Sequence, residues 1–287
     1  MLPSGDLQPL IEEISSFIDE RARRFHAAGK IIALHEEQSF EYRFAALCRE
    51  CPEFGAQFDI MFLLGKEMFA LIRNEHLLDA VECLLGSEIT CNPVQHLRAK
   101  MPAGSTWREI SEDVPWHQDA QVNLGGDGLQ ADIITCWIPL VDATMETGAM
   151  EVIPGAFNSG LLHHIKEKDK LGPTIVDDRI SESAGKAAPC PKGGVIFMNK
   201  YTPHRGTPNR SGIVRWSLDF RYQRTGSPSG RPQHPDFVVR SGSNPGAVYD
   251  DYEDWCRRWR EGLNAKPFGK DGLRAGDDSK ALELTGY

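Results

Sequence analysis

Two regimes of hydrophobic patterning divide the chain. Up to about residue 86 the apolar positions recur at helical spacing. Ile11, Ile14, Phe17 and Ile18 fall three and four residues apart, as one buried face of an amphipathic helix requires. Further helices are predicted over residues 40–51, 65–72 and 75–85, with Gly86 as a stop signal. Beyond that point the apolar runs shorten and turn residues separate them. Strands are predicted over residues 88–100, 131–139, 150–153, 194–199 and 213–222, with turn chemistry between them in GGDG, ETGA, PGAFNSG, CPKGG and TPNRSG. Strand following strand without intervening helices predicts a sandwich or barrel rather than a parallel α/β sheet. No internal repeat is visible.

The run IVRWSLDFRY is the most legible strand. Val214, Trp216, Leu218, Phe220 and Tyr222 alternate with Arg215, Ser217, Asp219 and Arg221, giving one apolar and one polar face. Either the polar face meets water, or the apolar side packs on the N-terminal helices while the polar side lines an interior. Residues 225–247 are rich in Pro, Gly, Ser and Arg without clear periodicity. A segment that long is expected to wrap the surface or cover something. Residues 250–263 then form a short amphipathic helix with Tyr252, Trp255 and Trp259 along the docking side. From about Lys270 a polar tail follows. The expected organisation is one domain over 1–287: a mainly helical flank (1–87), a β core (88–224), and a covering loop, helix and tail (225–287).

Composition narrows the function classes. The 287 residues are 25% charged and 40% hydrophobic, with a formal net charge of −9, so no global basic field draws in nucleic acid or an anionic membrane. The first apolar run carries acidic residues throughout, unlike a secretory signal. No run approaches the roughly 18 apolar residues of a membrane span. Seven cysteines in a chain this long do not make a disulfide framework, and a reducing cytoplasm is expected. The Cys48/Cys51 pair has no second CxxC and falls in a helical segment, so burial on a helix face is its expected role.

The chemistry concentrates in PWHQDAQ, residues 115–121. In an extended strand His117, Asp119 and Gln121 would share one side. His117 and Asp119 then form a hydrogen-bonded pair, a proton-transfer pair, or two thirds of a metal site. His204 supplies a third potential ligand, with Arg215 eleven residues further on. Two histidines and a carboxylate on one face of an iron leave positions open for a two-toothed oxo-acid and dioxygen. Arginine's fork suits the remote carboxylate of such a co-substrate. HxD alone has little specificity; the combination with a late histidine and a spaced arginine in a strand-rich half is far more specific. The same ligands also suit a zinc hydrolase, although no general base stands at a fixed spacing and Arg215 would lack a purpose. A non-catalytic small-molecule-binding barrel is a third reading.

These motifs resemble the phytanoyl-CoA dioxygenase family of Fe(II)/2-oxoglutarate-dependent oxygenases. The likeness runs from about residue 90 to residue 225, through WIPLVDATMETGAMEVIPGAFNSGLLHH and KGGVIFMNKYTPHRGTPNRSGIVRWSLDFRY. It weakens in the helical flank and in the tail segments HPDFVVRSGSNP and DWCRRW. The resemblance implies a mainly β fold, a double-stranded β-helix (a jelly-roll, cupin-like barrel) with a flanking N-terminal helical region. It implies that His117, Asp119 and His204 bind Fe(II), and that Arg215 clamps the far carboxylate of 2-oxoglutarate. Trp137 would stand near the co-substrate, and Thr135, on the same strand face, would add a hydrogen bond there. Related halogenases carry a small residue in place of the carboxylate, so Asp119 favours hydroxylation or another oxidative outcome over halogenation. The implied activity is a dioxygenase that consumes O2 and 2-oxoglutarate, hydroxylates a small or moderately apolar metabolite, and releases succinate and CO2. A small-molecule substrate is thus the expected partner, with no nucleic acid and no membrane; oligomeric state is not readable.

Other residues receive plainer roles. Asn209 and Ser211 suit a tight turn. His163 and His164 are expected to orient a loop, His96, Arg98 and Lys100 to form a solvated strand face, and His26, His35 and His76 to lie at the surface or cap helices. Gln118 and Gln121 flank the proposed ligands, and Gln121 would share their face and orient one of them. Specificity is expected from residues 105–116 and 225–247.

Overall fold

Helix α1 (Ser4–Ala27) buries Leu7, Leu10, Ile11, Ile14, Ile18 and Phe25 along one stripe, as its spacing requires. A computed structural model describes residues 1–105, 114–123, 130–166 and 172–265. The GGDG turn, most of the 105–116 segment and the polar tail lie outside the described residues. Four further helices complete the flank: α2 (Phe40–Glu50), α3 (Ile60–Leu63), α4 (Lys66–Ile72) and α5 (Glu75–Leu85). Asn74 caps α5 by accepting from the Leu77 amide at 3.0 Å. Gly86, at φ 86°, ends it where a side chain would be strained.

The strands follow as β1 (Glu88–Cys91), β2 (His96–Lys100), β3 (Ile133–Pro139), β4 (Met150–Val152), β5 (His164–Lys166), β6 (Pro173–Ile175), β7 (Lys186–Ala188), β8 (Ile196–Asn199), β9 (His204–Gly206), β10 (Arg215–Arg224) and β11 (Phe237–Ser241). The main sheet has the order β11-β1-β10-β3-β8, with β2 also pairing β10; a second sheet runs β7-β4-β9, and β5 pairs β6. Every pairing is antiparallel. The sheets do not close into one hydrogen-bonded barrel among the described residues.

Strand β10 carries the architecture. Its apolar side, Trp216, Leu218, Phe220 and Tyr222, is fully buried. Trp216 meets Phe40, Phe44 and Phe58 at centroid distances of 5.3, 5.0 and 5.8 Å. The Tyr222 hydroxyl donates to the Ile72 carbonyl at 2.8 Å. The alternate face is also withdrawn from water, with Arg215, Ser217, Arg221 and Gln223 buried. Trp137, over whose ring Arg215 lies, belongs to a small apolar cluster with Ala143, Met150, Cys190 and Met198. Of the two readings of this alternation, the polar-interior one therefore holds.

Three expectations change. The predicted strand over 88–100 breaks into β1 and β2, because Asn92 folds back to accept from the Val94 amide at 2.9 Å. The stretch 225–247 does more than cover: it contributes β11 to the edge of the main sheet beside β1. Strands β5, β6, β7 and β9 are only three residues each, too short to carry a period of two. Helix α6 (Tyr252–Ala265) docks as expected; Trp255 lies 5.2 Å from Phe69, and the Tyr252 hydroxyl donates to the Leu64 carbonyl at 2.7 Å. No helix among the described residues is long and apolar enough to cross a membrane.

Candidate metal centre

His117 and His204 stand directly opposite one another. Each amide donates to the other's carbonyl at 3.0 Å, and the rings lie 4.1 Å apart. In each imidazole Nδ1 sits 2.9 Å from the carbonyl oxygen two residues earlier, Pro115 for His117 and Thr202 for His204. A carbonyl oxygen only accepts, so Nδ1 carries the proton and Nε2 offers its lone pair. This is the tautomer a metal takes, fixed by the backbone before any ion arrives.

Asp119 reaches the same point by a different route from the expected one. The chain does not continue as a strand after His117; Asp119–Asn123 form a 3-10 turn. The turn, rather than strand alternation, brings the carboxylate round. One ligand atom from each of His117, Asp119 and His204 lies within 4.8 Å of the others, and His204 Nε2 is 4.0 Å from Asp119 Oδ1.

The carboxylate is held at both oxygens. Thr135 Oγ1 donates to Oδ2 at 2.5 Å, and Arg221 Nη2 donates to Oδ1 at 2.7 Å. Burial by itself would raise the Asp119 pKa. The Arg221 guanidinium and the two imidazoles outweigh it and hold the carboxyl far below the ordinary range. Burial, with His204 alongside, pushes His117 down to about 3. One anion and an imidazole that resists protonation make a donor set that fits a divalent cation.

Gln118, between the two, is fully buried. Its side-chain amide donates to the Gly160 and Tyr201 carbonyls at 2.9 and 2.7 Å, and its Oε1 accepts from the Leu162 amide at 2.8 Å. The Gln118 amide donates to His164 Nε2 at 3.2 Å, while His164 Nδ1 donates to the Leu162 carbonyl. His164 thus orients the loop. The side chain of Gln118 thereby supports the turn that carries Asp119.

Arg215 is buried on the interior face of β10. It donates to Ser217 Oγ, and its Cζ lies 5.0 Å over the Trp137 ring. Thr135, expected beside the co-substrate, has its hydroxyl proton committed to Asp119. The expected solvated face of β2 is not solvated. His96 is buried against Asp59 Oδ2 at 2.8 Å, Arg98 pairs with Asp219 at 3.2 Å, and Lys100 is buried in register with Arg215. That face turns inward because β2 pairs with the inward-facing half of β10. Asn209 serves its turn, donating to the Lys100 and Ile213 carbonyls and accepting from Ser211. Sequence reasoning missed the role of Arg221. Its signal was present, since Arg221 is in phase with Arg215 on the alternating strand.

A half-buried and a buried imidazole converge with a buried acid on a β-sheet scaffold, beside an interior arginine on the longest strand, and that arrangement fits a non-haem metal centre. The chain belongs to the phytanoyl-CoA dioxygenase family, whose sequence profile matches residues 53–217. It is an Fe(II)- and 2-oxoglutarate-dependent dioxygenase that uses O2. An L-proline trans-4-hydroxylase from Streptomyces griseoviridis is 26% identical over 193 residues, 61% of this chain and 69% of the relative. The fold is shared with a non-heme monooxygenase, apo ThoJ, at 22% identity and TM-score 0.57, covering 89% of this chain and 92% of that one. The ThoJ–Ni complex is similar at 20% identity and TM-score 0.51, over 72% of this chain and 79% of that one.

Proposed function

We propose that His117 and His204, through Nε2, and Asp119, through its carboxylate, hold the Fe(II), and that Arg215 holds the distal carboxylate of 2-oxoglutarate. The bound metal supplies the oxidising chemistry with O2. The protein supplies orientation and charge. Both histidines arrive as the required tautomer, Thr135 and Arg221 keep Asp119 ionised and fixed, and Gln118 ties the turn to two neighbouring loops. Trp137 forms the floor under Arg215, so the guanidinium meets a carboxylate with its planar face already covered. The observation that carries this reading is the convergence of one ligand atom from each of His117, Asp119 and His204 within 4.8 Å.

The substrate is a small metabolite. The proline hydroxylase relative makes free L-proline and other small amino acids the first candidates. No disulfide joins the seven cysteines among the described residues, which suits a reducing cytoplasm. Succinate release from 2-oxoglutarate, measured with Fe(II) under air across a panel of amino acids and metabolite pools, tests the reading. Substrate-dependent succinate formation, abolished by His204→Ala, is expected. Absence of 2-oxoglutarate binding and turnover with every pool would overturn it.

A further inference from the structure

We propose that Arg221 is a positioning residue for Asp119 and a fixed counter-charge that strengthens the binding of anionic 2-oxoglutarate at the metal. This rests on the assignment of His117, Asp119 and His204 as the metal ligands. Arg221 is buried, donates through Nη2 to Asp119 Oδ1 at 2.7 Å and through Nη1 to the Val94 carbonyl at 3.0 Å. Its backbone is pinned as well. The Arg221 carbonyl accepts from the Asn92 amide and from Gln95 Nε2, both at 2.9 Å. The guanidinium is therefore held at the carboxylate by the β1–β2 connection and cannot swing aside without breaking that connection.

Cross-strand register completes the arrangement. Arg221 and Thr135 are paired residues on β10 and β3, and each donates to a different oxygen of the same carboxylate. Asp119 is thus fixed in rotation from both sides. The charge count matters more. Two neutral imidazoles, one carboxylate and one guanidinium sum to zero, whereas the three ligands alone carry one negative charge. Without Arg221 that negative charge would offset part of the metal's attraction for a dianionic co-substrate; with it, the offset is reduced, although Asp219 and Asp59 also draw on the guanidinium. Stability alone is a weak reason to keep such a pair, because apolar residues of similar volume serve buried interiors as well or better.

The test separates charge from architecture by using Mn(II), which avoids turnover. Metal-free wild-type protein, Arg221→Met and Arg221→Lys are titrated with Mn(II) by calorimetry, and the Mn(II)-loaded proteins are then titrated with 2-oxoglutarate. Arg221→Met is expected to bind Mn(II) at least as tightly as wild type and 2-oxoglutarate about 10- to 100-fold more weakly, the scale of one unit charge acting through about 6 Å of partly polar protein. Arg221→Lys retains the charge and is expected to keep 2-oxoglutarate affinity within about threefold of wild type. Unchanged 2-oxoglutarate affinity in a folded Arg221→Met protein would overturn the inference, as would a lysine variant that loses that affinity. If the methionine variant does not fold, the lysine variant decides. Failure of wild type itself to bind Mn(II) would instead count against the ligand assignment, which distinguishes the two.

Discussion

Replacing Asp119 by Asn removes a charge while nearly preserving shape, and its first effect falls on the metal-free protein. The buried Arg221 guanidinium would lose the one carboxylate it hydrogen-bonds among the described residues. Removing one member of a buried ion pair costs about 3–5 kcal/mol. The carboxamide oxygen introduced at position 119 can still accept from Arg221, which lowers the expected loss to about 2–4 kcal/mol. For a chain of this size each kcal/mol moves the midpoint by about 2–4 °C, so Tm should fall by about 5–15 °C. The pH dependence has a definite sign. The folded-state pKa of Asp119 is depressed, so its stabilisation is present above the unfolded value of about 4 and is lost as pH falls below it. The advantage of wild type over Asp119→Asn should therefore shrink in acid. Thermal unfolding by circular dichroism after metal removal, at pH 7 and at lower pH, measures both effects. The double variant Asp119→Asn/Arg221→Met should recover at least half of the loss, since no cation is then left unpaired. A single-variant loss below about 1 kcal/mol, or a double variant no more stable than the single, would refute the reasoning.

Other outcomes follow from the same geometry. Gln118→Ala deletes three hydrogen bonds of a fully buried side chain and should destabilise the metal-free protein by about 2–4 kcal/mol, measured by urea unfolding. Gly148 adopts φ +85°, and a Cβ there would meet the Thr207 carbonyl oxygen at 2.8 Å and Lys100 Cε at 2.9 Å. Gly148→Ala should therefore cost about 2 kcal/mol or more, read from the same unfolding curves. Burial, with Arg231 nearby, pushes His234 down to about 4. Between that value and about 6.5 the unfolded chain binds a proton the folded chain excludes, so stability falls as pH drops through this window, by up to about 3 kcal/mol. His234→Phe keeps the stack on Trp259, whose centroid lies 5.3 Å away, and should flatten that part of the profile.

Much of the scaffold is legible because its signals are local. The helical flank, the clean alternation of β10 and the docking of α6 each announce themselves in spacing or aromatic placement. The strands that escape are those where locality fails. β9 holds His204 yet is three residues long and exists through pairing with β4 and with His117. β11 lies in a Pro/Gly-rich stretch whose strand character comes from the free edge of β1. At the site, residue type and spacing anticipate the convergence of His117, Asp119 and His204, but by way of a strand that is a 3-10 turn. The partners of Asp119 do not show in the sequence. Thr135 is expected beside the co-substrate, and Arg221 stands out only as one polar position of an alternating strand. Which buried donor meets which acceptor depends on cross-strand register, here Arg221 against Thr135, and single-chain periodicity does not encode it.

The central claim is that three side chains from distant parts of the chain hold one iron to which 2-oxoglutarate binds. Mixing the metal-free protein anaerobically with Fe(II) and 2-oxoglutarate, and recording the visible spectrum, tests it most directly. A weak charge-transfer band that needs both additives and disappears in His204→Ala is the predicted result. No band in wild type, or an undiminished band in folded His204→Ala, would contradict the account.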